Sequence, residues 1–231
     1  MFDRIKEDIR AVKDRDPAAR SSLEVFFLYS GLHAIWYHRL SHALYCRKRY
    51  GIARFVSQWA RFWTGIEIHP GASLGRGVFI DHGAGVVIGE TAVVGDRCTI
   101  YQGATLGGTG KDAGKRHPTL GSGVLVGCGA KILGPFTVGD NAKIAANAVV
   151  LREVPPDCTA VGVPAEVVRR NGKKVSPGGA VNKEAAGQDM DVIHIPDPVS
   201  RKMEMLMLRI EQLEQKINRM ERKNEYEHGN L

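Results

Sequence analysis

Aliphatic residues recur at every sixth position through the middle of this 231-residue chain, and this period constrains the fold more than any other feature. Small side chains mostly occupy the position two residues before each aliphatic one, and glycine often follows it. The aliphatic series is Ile68, Leu74, Ile80, Ile88, Val94, Ile100, Leu106, Leu120, Val126, Ile132, Val138, Ile144 and Val150. Hexapeptide repeats of this kind are typical of a β-helix, in which short strands stack as coils around a narrow core.

The segments on either side of the repeat complete the expected organisation. Apolar residues recur at helical spacing from Phe2 to Val12 and again in later N-terminal segments. After the repeat comes a basic stretch and then one rich in Gly, Pro and Ala. We therefore predict an α+β protein with a helical N-terminal domain over residues 1–64, a left-handed parallel β-helix over 65–165 and a linker over 166–198.

A heptad pattern follows the linker and predicts a coiled-coil helix over residues 199–225. The a and d positions are Met203, Leu206, Ile210, Leu213, Ile217 and Met220. Opposite charges at a g position and the next e position, as in Arg209 and Glu214, suit a parallel coiled coil. The alternative is a single amphipathic helix packed on its own subunit.

The hexapeptide period breaks at two places, and each break holds a histidine. The step from Ile80 to Ile88 is two residues too long and contains His82, and the longer break before Leu120 contains residues 108–117. Insertions in a solenoid form loops on one face, which is often the binding face. A failure of an otherwise consistent pattern is also typical of a functional site. The alternative is a neutral surface loop.

Composition and charge limit the class of protein. The four cysteines contain no C-x-x-C pair, and Cys98 takes an inward position of the repeat. The charged N-terminus is unlike a signal peptide, and no apolar run reaches the roughly 18 residues of a membrane span. The net charge of +7 is dispersed and accompanied by no nucleic-acid recognition motif, so a small ligand bearing phosphate is the more economical partner. We expect a cytoplasmic protein that binds neither membrane nor nucleic acid.

The residues at the two breaks suit acyl transfer. Glu67 lies about one coil before His82, so its carboxylate could orient this imidazole as a general base. Arg116 adds a guanidinium suited to a carboxylate, and the glycine-rich segment around Gly108 offers backbone N–H groups to an acyl oxygen or to phosphates. These residues predict transfer of an acyl group to a small, charged acceptor that bears a hydroxyl.

Several strings in the chain resemble the serine O-acetyltransferase family. They are Asp81-His82, the octapeptide 85–92 (GVVIGETA), the heptapeptide 105–111 (TLGGTGK), Arg116-His117-Pro118, the pentapeptide 161–165 (VGVPA) and Asp16-Pro17. The resemblance covers about residues 10–168, and the string from Thr105 to Pro118 is specific within the hexapeptide transferases. It implies transfer of an acetyl group from acetyl-CoA to the hydroxyl of L-serine. This step gives O-acetyl-L-serine for cysteine synthesis, and cysteine commonly inhibits the family at the serine site.

The resemblance also implies roles for individual residues. His82 would be the base, with Glu67 as its partner, although many members have Asp there. Asp16 and Asp81 would hold the serine ammonium. Arg116 and His117 would hold its carboxylate, and His117 would also belong to the catalytic group. For Asp16 the alternative is a helix cap ahead of Pro17, and for Asp81 a corner residue.

Further expectations concern the co-substrate and partners. The resemblance places coenzyme A near Gly108, Cys128 and Ala146, with Lys143 or the basic stretch 169–174 toward its phosphates, and implies no metal. For Cys128, a small corner residue is an equal alternative. We expect a parallel homo-trimer, and the sequence leaves open whether two trimers pair into a hexamer. The chain ends at Leu231 without the isoleucine tail by which some members bind O-acetylserine sulfhydrylase, which leaves that complex open.

Three other functions remain open from the residues. A second acyltransferase of the same fold would act on a sugar or an antibiotic. A zinc-dependent γ-type carbonic anhydrase would need three histidines, and the repeat region holds only His69, His82 and His117, without a closely spaced pair. A non-catalytic scaffold would act through the coiled coil.

Overall fold

The protein is described by a computed structural model that covers residues 2–108, 110, 113–174, 203 and 206–214. The chain divides into two compact units, Met1–Ile193 and His194–Leu231. No helix among the described residues is long and apolar enough to cross a membrane.

Four helices precede the repeat region. Their bounds are α1 Phe2–Lys13, α2 Ser22–Leu28, α3 Ser30–Cys46 and α4 Tyr50–Thr64. The side chain of Ser21 caps α2 by accepting a hydrogen bond from the Glu24 N–H (3.1 Å). At the other end of the domain, Gly65 adopts a left-handed conformation (φ 71°), which ends α4 and turns the chain into the first strand.

Sixteen short strands follow within the described part of the chain. Their bounds are β1 Glu67–Ile68, β2 Ser73–Leu74, β3 Phe79–Asp81, β4 Val87–Ile88, β5 Val93–Val94, β6 Thr99–Tyr101, β7 Thr105–Gly107, β8 Thr119–Leu120, β9 Leu125–Val126, β10 Lys131–Leu133, β11 Thr137–Val138, β12 Lys143–Ile144, β13 Val149–Val150, β14 Cys158–Val161, β15 Glu166–Arg170 and β16 Lys173–Lys174. They form three sheets. Face A contains β1, β4, β7, β10 and β13; face B contains β2, β5, β8 and β11; face C contains β3, β6, β9, β12 and β14–β16.

Successive strands pass from face A to face B to face C and then return to face A one coil higher. Strands that neighbour each other from coil to coil are parallel, with partners such as Ile88 and Leu106 on face A and Ile100 and Val126 on face C. The chain is therefore a three-faced parallel β-helix of five coils, as the six-residue period predicts.

The aliphatic positions of the repeat form the core of this β-helix. Except for Leu74, which is partly exposed, every member of the series is buried, and Ile88, Ile100, Ile132 and Ile144 are inaccessible to solvent. The position two residues before each of them is mostly buried as well, including Cys98, as predicted, whereas Phe136 is partly exposed. Burial raises the pKa of the Cys98 thiol to about 11, so this cysteine is a neutral core residue.

The N-terminal helices pack directly on the β-helix and belong to the same compact unit. A Cβ atom added to Gly31 in α3 would lie 2.0 Å from the carbonyl oxygen of Ile80, so the α3 backbone touches β3. The Arg15 guanidinium donates hydrogen bonds to the carbonyl oxygens of Arg97 (3.1 Å) and Cys98 (3.2 Å). Residues 1–64 are therefore a helical layer of the β-helix unit and not an independent domain.

The predicted linker begins too early. Residues 166–174 continue face C as β15 and β16, which run antiparallel to β14 and to each other. The clustered Arg and Lys side chains suggested a solvated linker, but the backbone of this segment pairs with the exposed edge of β14. Residues 175–198 of the predicted linker lie outside the described part of the chain.

The second unit contains a helix over residues 206–214. Its apolar side chains, including Leu206, Ile210 and Leu213, are exposed in the single chain. Ile217 and Met220 lie outside the described residues. The predicted helix is present over these residues, and the coiled coil remains a prediction.

The contact between α3 and β3 generates a stability prediction. Gly31→Ala should lower the free energy of unfolding by about 1–3 kcal/mol, the usual cost of overpacking, because the new methyl group meets the Ile80 carbonyl. Gly51→Ala is the matched control, since a Cβ atom at this helical glycine has no neighbour within 4 Å. Urea unfolding of both variants would measure the difference, and equal stabilities would show that the two backbones do not meet at Gly31.

Candidate active site

The two interruptions of the repeat lie on different edges of the β-helix. His82 lies between β3 of face C and β4 of face A, on what we call the C/A edge. Residues 108–117 lie between β7 of face A and β8 of face B, on the A/B edge. A face of about five residues is roughly 15 Å wide at about 3.3 Å per residue, so the two predicted halves of the site are well separated within one chain.

Two carboxylates lie beside the C/A edge. Asp81 ends β3, and its Cα partner in the next coil is Tyr101. Burial and the charges of Asp81 and Asp16 raise the pKa of Tyr101, which places both carboxylates near its phenol. The Asp16 carboxylate accepts hydrogen bonds from the Tyr29 hydroxyl (2.6 Å) and the Ala18 N–H (2.8 Å). Tyr29 is two residues before Gly31, which touches β3, the strand that ends in Asp81, so Asp16 and Asp81 lie in the same part of the structure.

The helix-cap alternative for Asp16 is wrong. Helix α2 begins at Ser22, and its N-cap is Ser21. Asp16 instead closes a local turn, in which its carboxylate accepts a hydrogen bond from the N–H of Ala18, two residues later. The carboxylate keeps further acceptor sites for another donor.

His82 projects from the C/A edge in a strained backbone conformation. Its φ angle is 57°, in the left-handed region that residues other than glycine rarely adopt. The turn is closed by hydrogen bonds from the Gly83 N–H to Asp81 O (2.6 Å) and from the Ala84 N–H to His82 O (2.8 Å). The side chain is 74% exposed, and its Nε2 atom lies 4.0 Å from Asp81 Oδ1. The imidazole is therefore presented outward, next to a carboxylate.

Glu67 has other partners than the one predicted for it. Its carboxylate forms ion pairs with Arg54 (3.2 Å) and Arg61 (3.2 Å), both on α4. Among the described residues, no hydrogen bond or ion pair joins Glu67 to His82. The coil spacing correctly predicted that Glu67 and His82 lie toward the same edge. In the single chain, however, the two arginines of α4 bind the Glu67 carboxylate.

A chain of ionic hydrogen bonds positions Arg116 on the A/B edge. Its Nη2 atom donates to Glu90 Oε2, and the Tyr45 hydroxyl donates to Glu90 Oε1 (2.9 Å). The hydrogen bonds from Arg116 and Tyr45 lower the pKa of Glu90, so this carboxylate is ionised and holds the guanidinium in place. Its Nη1 atom donates to the Gly114 carbonyl oxygen (3.4 Å), and the remaining N–H groups of the planar guanidinium can meet a second carboxylate.

Thr91 fixes His117 in one tautomer. The Thr91 N–H (3.2 Å) and hydroxyl (2.9 Å) both lie against His117 Nδ1, and a backbone N–H can only donate. Burial and the charge of Arg116 lower the pKa of His117, so the imidazole is neutral near pH 7 and carries its proton on Nε2. The ring lies over Gly89, where a Cβ atom would come within 2.0 Å of it. His117 is therefore a fixed neutral hydrogen-bond donor.

Thr91 also fixes the returning loop. Its hydroxyl oxygen accepts hydrogen bonds from the backbone N–H groups of Arg116 (3.0 Å) and His117 (3.1 Å). Its carbonyl oxygen accepts a hydrogen bond from Lys115 Nζ (2.7 Å). Lys111 and the neighbouring residues 109 and 112 lie outside the described part of the loop.

The predicted coenzyme A residues divide between the two edges. Cys128 and Ala146 lie on the C/A edge, in the same column as His82, and backbone hydrogen bonds such as Asn147 N–H to Cys128 O (2.8 Å) connect the column. At about 4.8 Å per coil, Cys128 is roughly 10 Å and Ala146 roughly 14 Å along this column from His82. Lys143 lies on face C in β12, whereas Gly108 lies on the A/B edge.

The three histidines of the repeat region lie on two different edges of the β-helix. His69 follows β1 and shares the A/B edge with His117, while His82 lies on the C/A edge. Among the described residues, no three His, Cys, Asp or Glu side chains lie close enough together to hold a metal ion.

Sequence reasoning missed four residues of this arrangement. Glu90 and Thr91 lie within the conspicuous string 85–92, so a role for them could have been suspected. Tyr29 and Tyr45 carry no sequence signal, because their roles arise only when α3 packs on the β-helix.

A hexapeptide β-helix with an exposed histidine on one edge and a fixed arginine and histidine on another is the arrangement of a hexapeptide-repeat acyltransferase. Two family models match the chain: "Serine acetyltransferase, N-terminal" over residues 1–36 and "Bacterial transferase hexapeptide (six repeats)" over residues 117–152. The serine acetyltransferase of Bacillus licheniformis is 54% identical over 225 residues, which are 97% of this chain and 99% of that protein. This chain belongs to the serine acetyltransferase family.

Solved structures agree with this assignment. The serine acetyltransferase of Neisseria gonorrhoeae in complex with serine has a TM-score of 0.70 and 43% identity, covering 73% of this chain and 69% of that one. The Brucella abortus strain S19 enzyme in complex with coenzyme A has a TM-score of 0.72 and 47% identity, covering 73% and 68%. The predicted α+β fold with a left-handed parallel β-helix is confirmed, and so is the prediction of an acyltransferase.

The hydrogen bonds of Thr91 generate a prediction. Thr91→Val should lower kcat/KM for serine about tenfold or more, because two loop N–H groups and His117 Nδ1 lose a partner worth about 1 kcal/mol each. Release of CoA from acetyl-CoA would measure it. Thr137→Val is the matched control, since this exposed strand threonine makes no side-chain hydrogen bond among the described residues, and it should change kcat/KM less than about twofold. A Thr91 variant that behaves like the control would contradict the positioning role.

Proposed function

We propose that this chain, as a serine acetyltransferase, moves the acetyl group of acetyl-CoA to the hydroxyl of L-serine in a site shared by two subunits. The observation that carries the proposal is a match of charges. Asp16 and Asp81 offer two carboxylates near the C/A edge, and Arg116 with neutral His117 offers hydrogen-bond donors on the A/B edge. An α-amino acid zwitterion needs this combination of a carboxylate pair and a guanidinium.

Separation of the edges requires a second subunit. The ammonium and carboxylate of serine are only a few ångströms apart, whereas the edges of one chain lie roughly 15 Å from each other. The C/A edge of one chain must therefore face the A/B edge of a neighbour. Such a head-to-tail contact closes into a ring, and three copies of a three-faced prism give a homo-trimer with three sites.

In this site His82 acts as the general base. Its imidazole takes the proton of the serine hydroxyl while the oxygen attacks the thioester carbonyl carbon. The tetrahedral intermediate then collapses, the C–S bond breaks, and the CoA sulfur takes the proton back from the imidazolium. Asp81, 4.0 Å from His82 Nε2, would stabilise the imidazolium. We keep Glu67 as the partner that orients His82 in the assembled enzyme, where it must exchange an arginine contact for the imidazole.

The remaining residues hold the two substrates. Asp16 and Asp81 would bind the serine ammonium, and Arg116 with the Nε2–H of His117 from the neighbouring chain would bind its carboxylate. Coenzyme A would lie along the C/A edge past Cys128 and Ala146, with Lys143 toward its phosphates. Gly108 of the neighbouring chain would approach the pantetheine arm from the A/B edge, which accounts for its separation from the other coenzyme A residues.

The free cysteines bear on the cellular compartment of the protein. The four cysteines are all free thiols, consistent with a reducing compartment, and we propose a cytoplasmic enzyme. Its product would serve cysteine synthesis. Pairing of two trimers and a complex with O-acetylserine sulfhydrylase are further proposals, which the resemblance alone supports.

Two substitutions separate chemistry from binding. His82→Ala should lower kcat by about 10²-fold or more, because the hydroxyl loses its general base, and should leave acetyl-CoA binding nearly unchanged. Arg116→Ala should act mainly by raising the KM for serine. Thiol release with serine, D-serine and sugar acceptors would measure both effects; near-normal turnover of His82→Ala, or equal activity with a sugar, would refute the assignment.

Mixed trimers test the shared site. His82→Ala chains and Arg116→Ala chains carry damage on different edges, so co-refolding them in equal amounts should restore about a quarter of the sites, since each edge is intact with a probability of one half. The activity is measured at a serine concentration far below the raised KM of Arg116→Ala, where both parents turn over slowly. Mixtures of the two variants that stay no more active than their parents under this condition would contradict the shared site.

Light scattering should give about 76 kDa, three times the 25.3 kDa of one chain, or twice that for paired trimers. A stable dimer would also contradict the shared site.

A further inference from the structure

Tyr29 lies where the helical layer meets the C/A edge. It is the residue between α2 and α3, with extended backbone angles (φ −91°, ψ 104°) that break the two helices apart. Two residues later, Gly31 touches the backbone of β3, the strand that ends in Asp81. The phenol of Tyr29 is therefore held close to the predicted ammonium site by the same contact that attaches α3 to the β-helix.

The hydroxyl of Tyr29 makes the one side-chain hydrogen bond to Asp16 among the described residues, at 2.6 Å from Oδ2. Backbone contacts fix the rest of this residue: the Asp16 N–H donates to Val12 O (2.8 Å), and Oδ1 accepts from the Ala18 N–H (2.8 Å). Arg15, the residue before Asp16, anchors this segment to the β-helix by donating hydrogen bonds to Thr99 Oγ1 (3.0 Å) and to backbone carbonyl oxygens. With Oδ1 bound to Ala18, the Tyr29 hydroxyl sets the plane of the carboxylate.

The electrostatic surroundings of Tyr29 agree with this geometry. Burial, the hydrogen bond to Asp16 and the negative charges of Asp16, Glu24 and Asp81 raise its pKa to about 12. The phenol therefore keeps its proton and remains a donor at every physiological pH. Its ring packs against the cluster of Val12, Val25, Leu32 and Phe79, a contact that phenylalanine would retain.

We propose that Tyr29 is a positioning residue whose hydroxyl aims the Asp16 carboxylate at the ammonium group of the acceptor. The proposal rests on the function proposed above, in which Asp16 binds that ammonium together with Asp81. Tyr29 itself does not touch the substrate. It acts by removing the rotational freedom of a carboxylate that would otherwise need ordering when serine binds.

Steady-state kinetics of Tyr29→Phe test the proposal. The KM for serine should rise about tenfold, the size expected for a lost hydrogen bond to a charged group, with kcat and the KM for acetyl-CoA within about twofold of wild type. The inhibition constant of 3-hydroxypropanoate should not change, because this compound has the hydroxyl and carboxylate of serine without its ammonium. Tyr37→Phe is the matched control, a half-buried tyrosine of α3 whose hydroxyl makes no hydrogen bond among the described residues.

A double-mutant cycle with Asp16→Asn separates positioning from folding. In the Asp16→Asn background, Tyr29→Phe should add less than about twofold to the KM for serine, since there is no longer a charged carboxylate to aim. Additive effects would overturn the proposal, as would equal weakening of serine and 3-hydroxypropanoate, which indicates a general loss of structure. If wild type releases no CoA with serine, the proposed function fails; if wild type is active and Tyr29→Phe matches Tyr37→Phe, only the role of Tyr29 fails.

Discussion

The parallel register between coils is the constraint on which the rest of this structure depends. Each inward aliphatic residue lies directly over its equivalent one coil below, and this register continues across both interruptions: Ile68 pairs with Ile88, and Val94 with Leu120. Burial of about 0.8 kcal/mol per methylene group drives the stacking, so extra residues are expelled at an edge and do not shift a strand. Equivalent positions of successive coils therefore form columns along each edge. His82, Cys128 and Ala146 share one column because the core residues beneath them stay in register.

Helix α3 connects the two edges that the β-helix keeps apart. Tyr29 immediately precedes it and donates to Asp16, and Tyr45 near its other end donates to Glu90, the partner of Arg116. A helix of 17 residues is about 25 Å long, enough to span the width of a face. One rigid element thus orients a carboxylate at each half of the site, and the close contact at Gly31 sets its position along the β-helix. In the proposed site, the helical layer would therefore orient substrate-binding residues in addition to covering the first coils.

The sequence predicts much of this because a short period carries three-dimensional information directly. The six-residue repeat specifies the faces, the core and the edges, and its two interruptions identify His82, Arg116 and His117. Contacts between elements carry no such period. The ion pairs of Glu67 with Arg54 and Arg61 depend on how α4 packs, and the hydroxyl contacts of Tyr29 and Tyr45 depend on the placement of α3. The strands β15 and β16 were missed for a related reason, since their pairing comes from the open edge of β14 and not from an alternating pattern of their own.

The division of charge between edges also bears on assembly. In the proposed trimer, the acidic edge of each chain faces the basic edge of the next, and opposite charges across an interface favour the correct orientation of the partners. The same charges bind the two ends of serine, so the substrate bridges neighbouring chains. By linkage, a ligand that binds only the assembled site stabilises the assembly. Exclusion of water by the second chain would further strengthen the electrostatic contacts around His82, which is exposed in the single chain. Catalytic competence and trimer formation are then two consequences of one arrangement of edges.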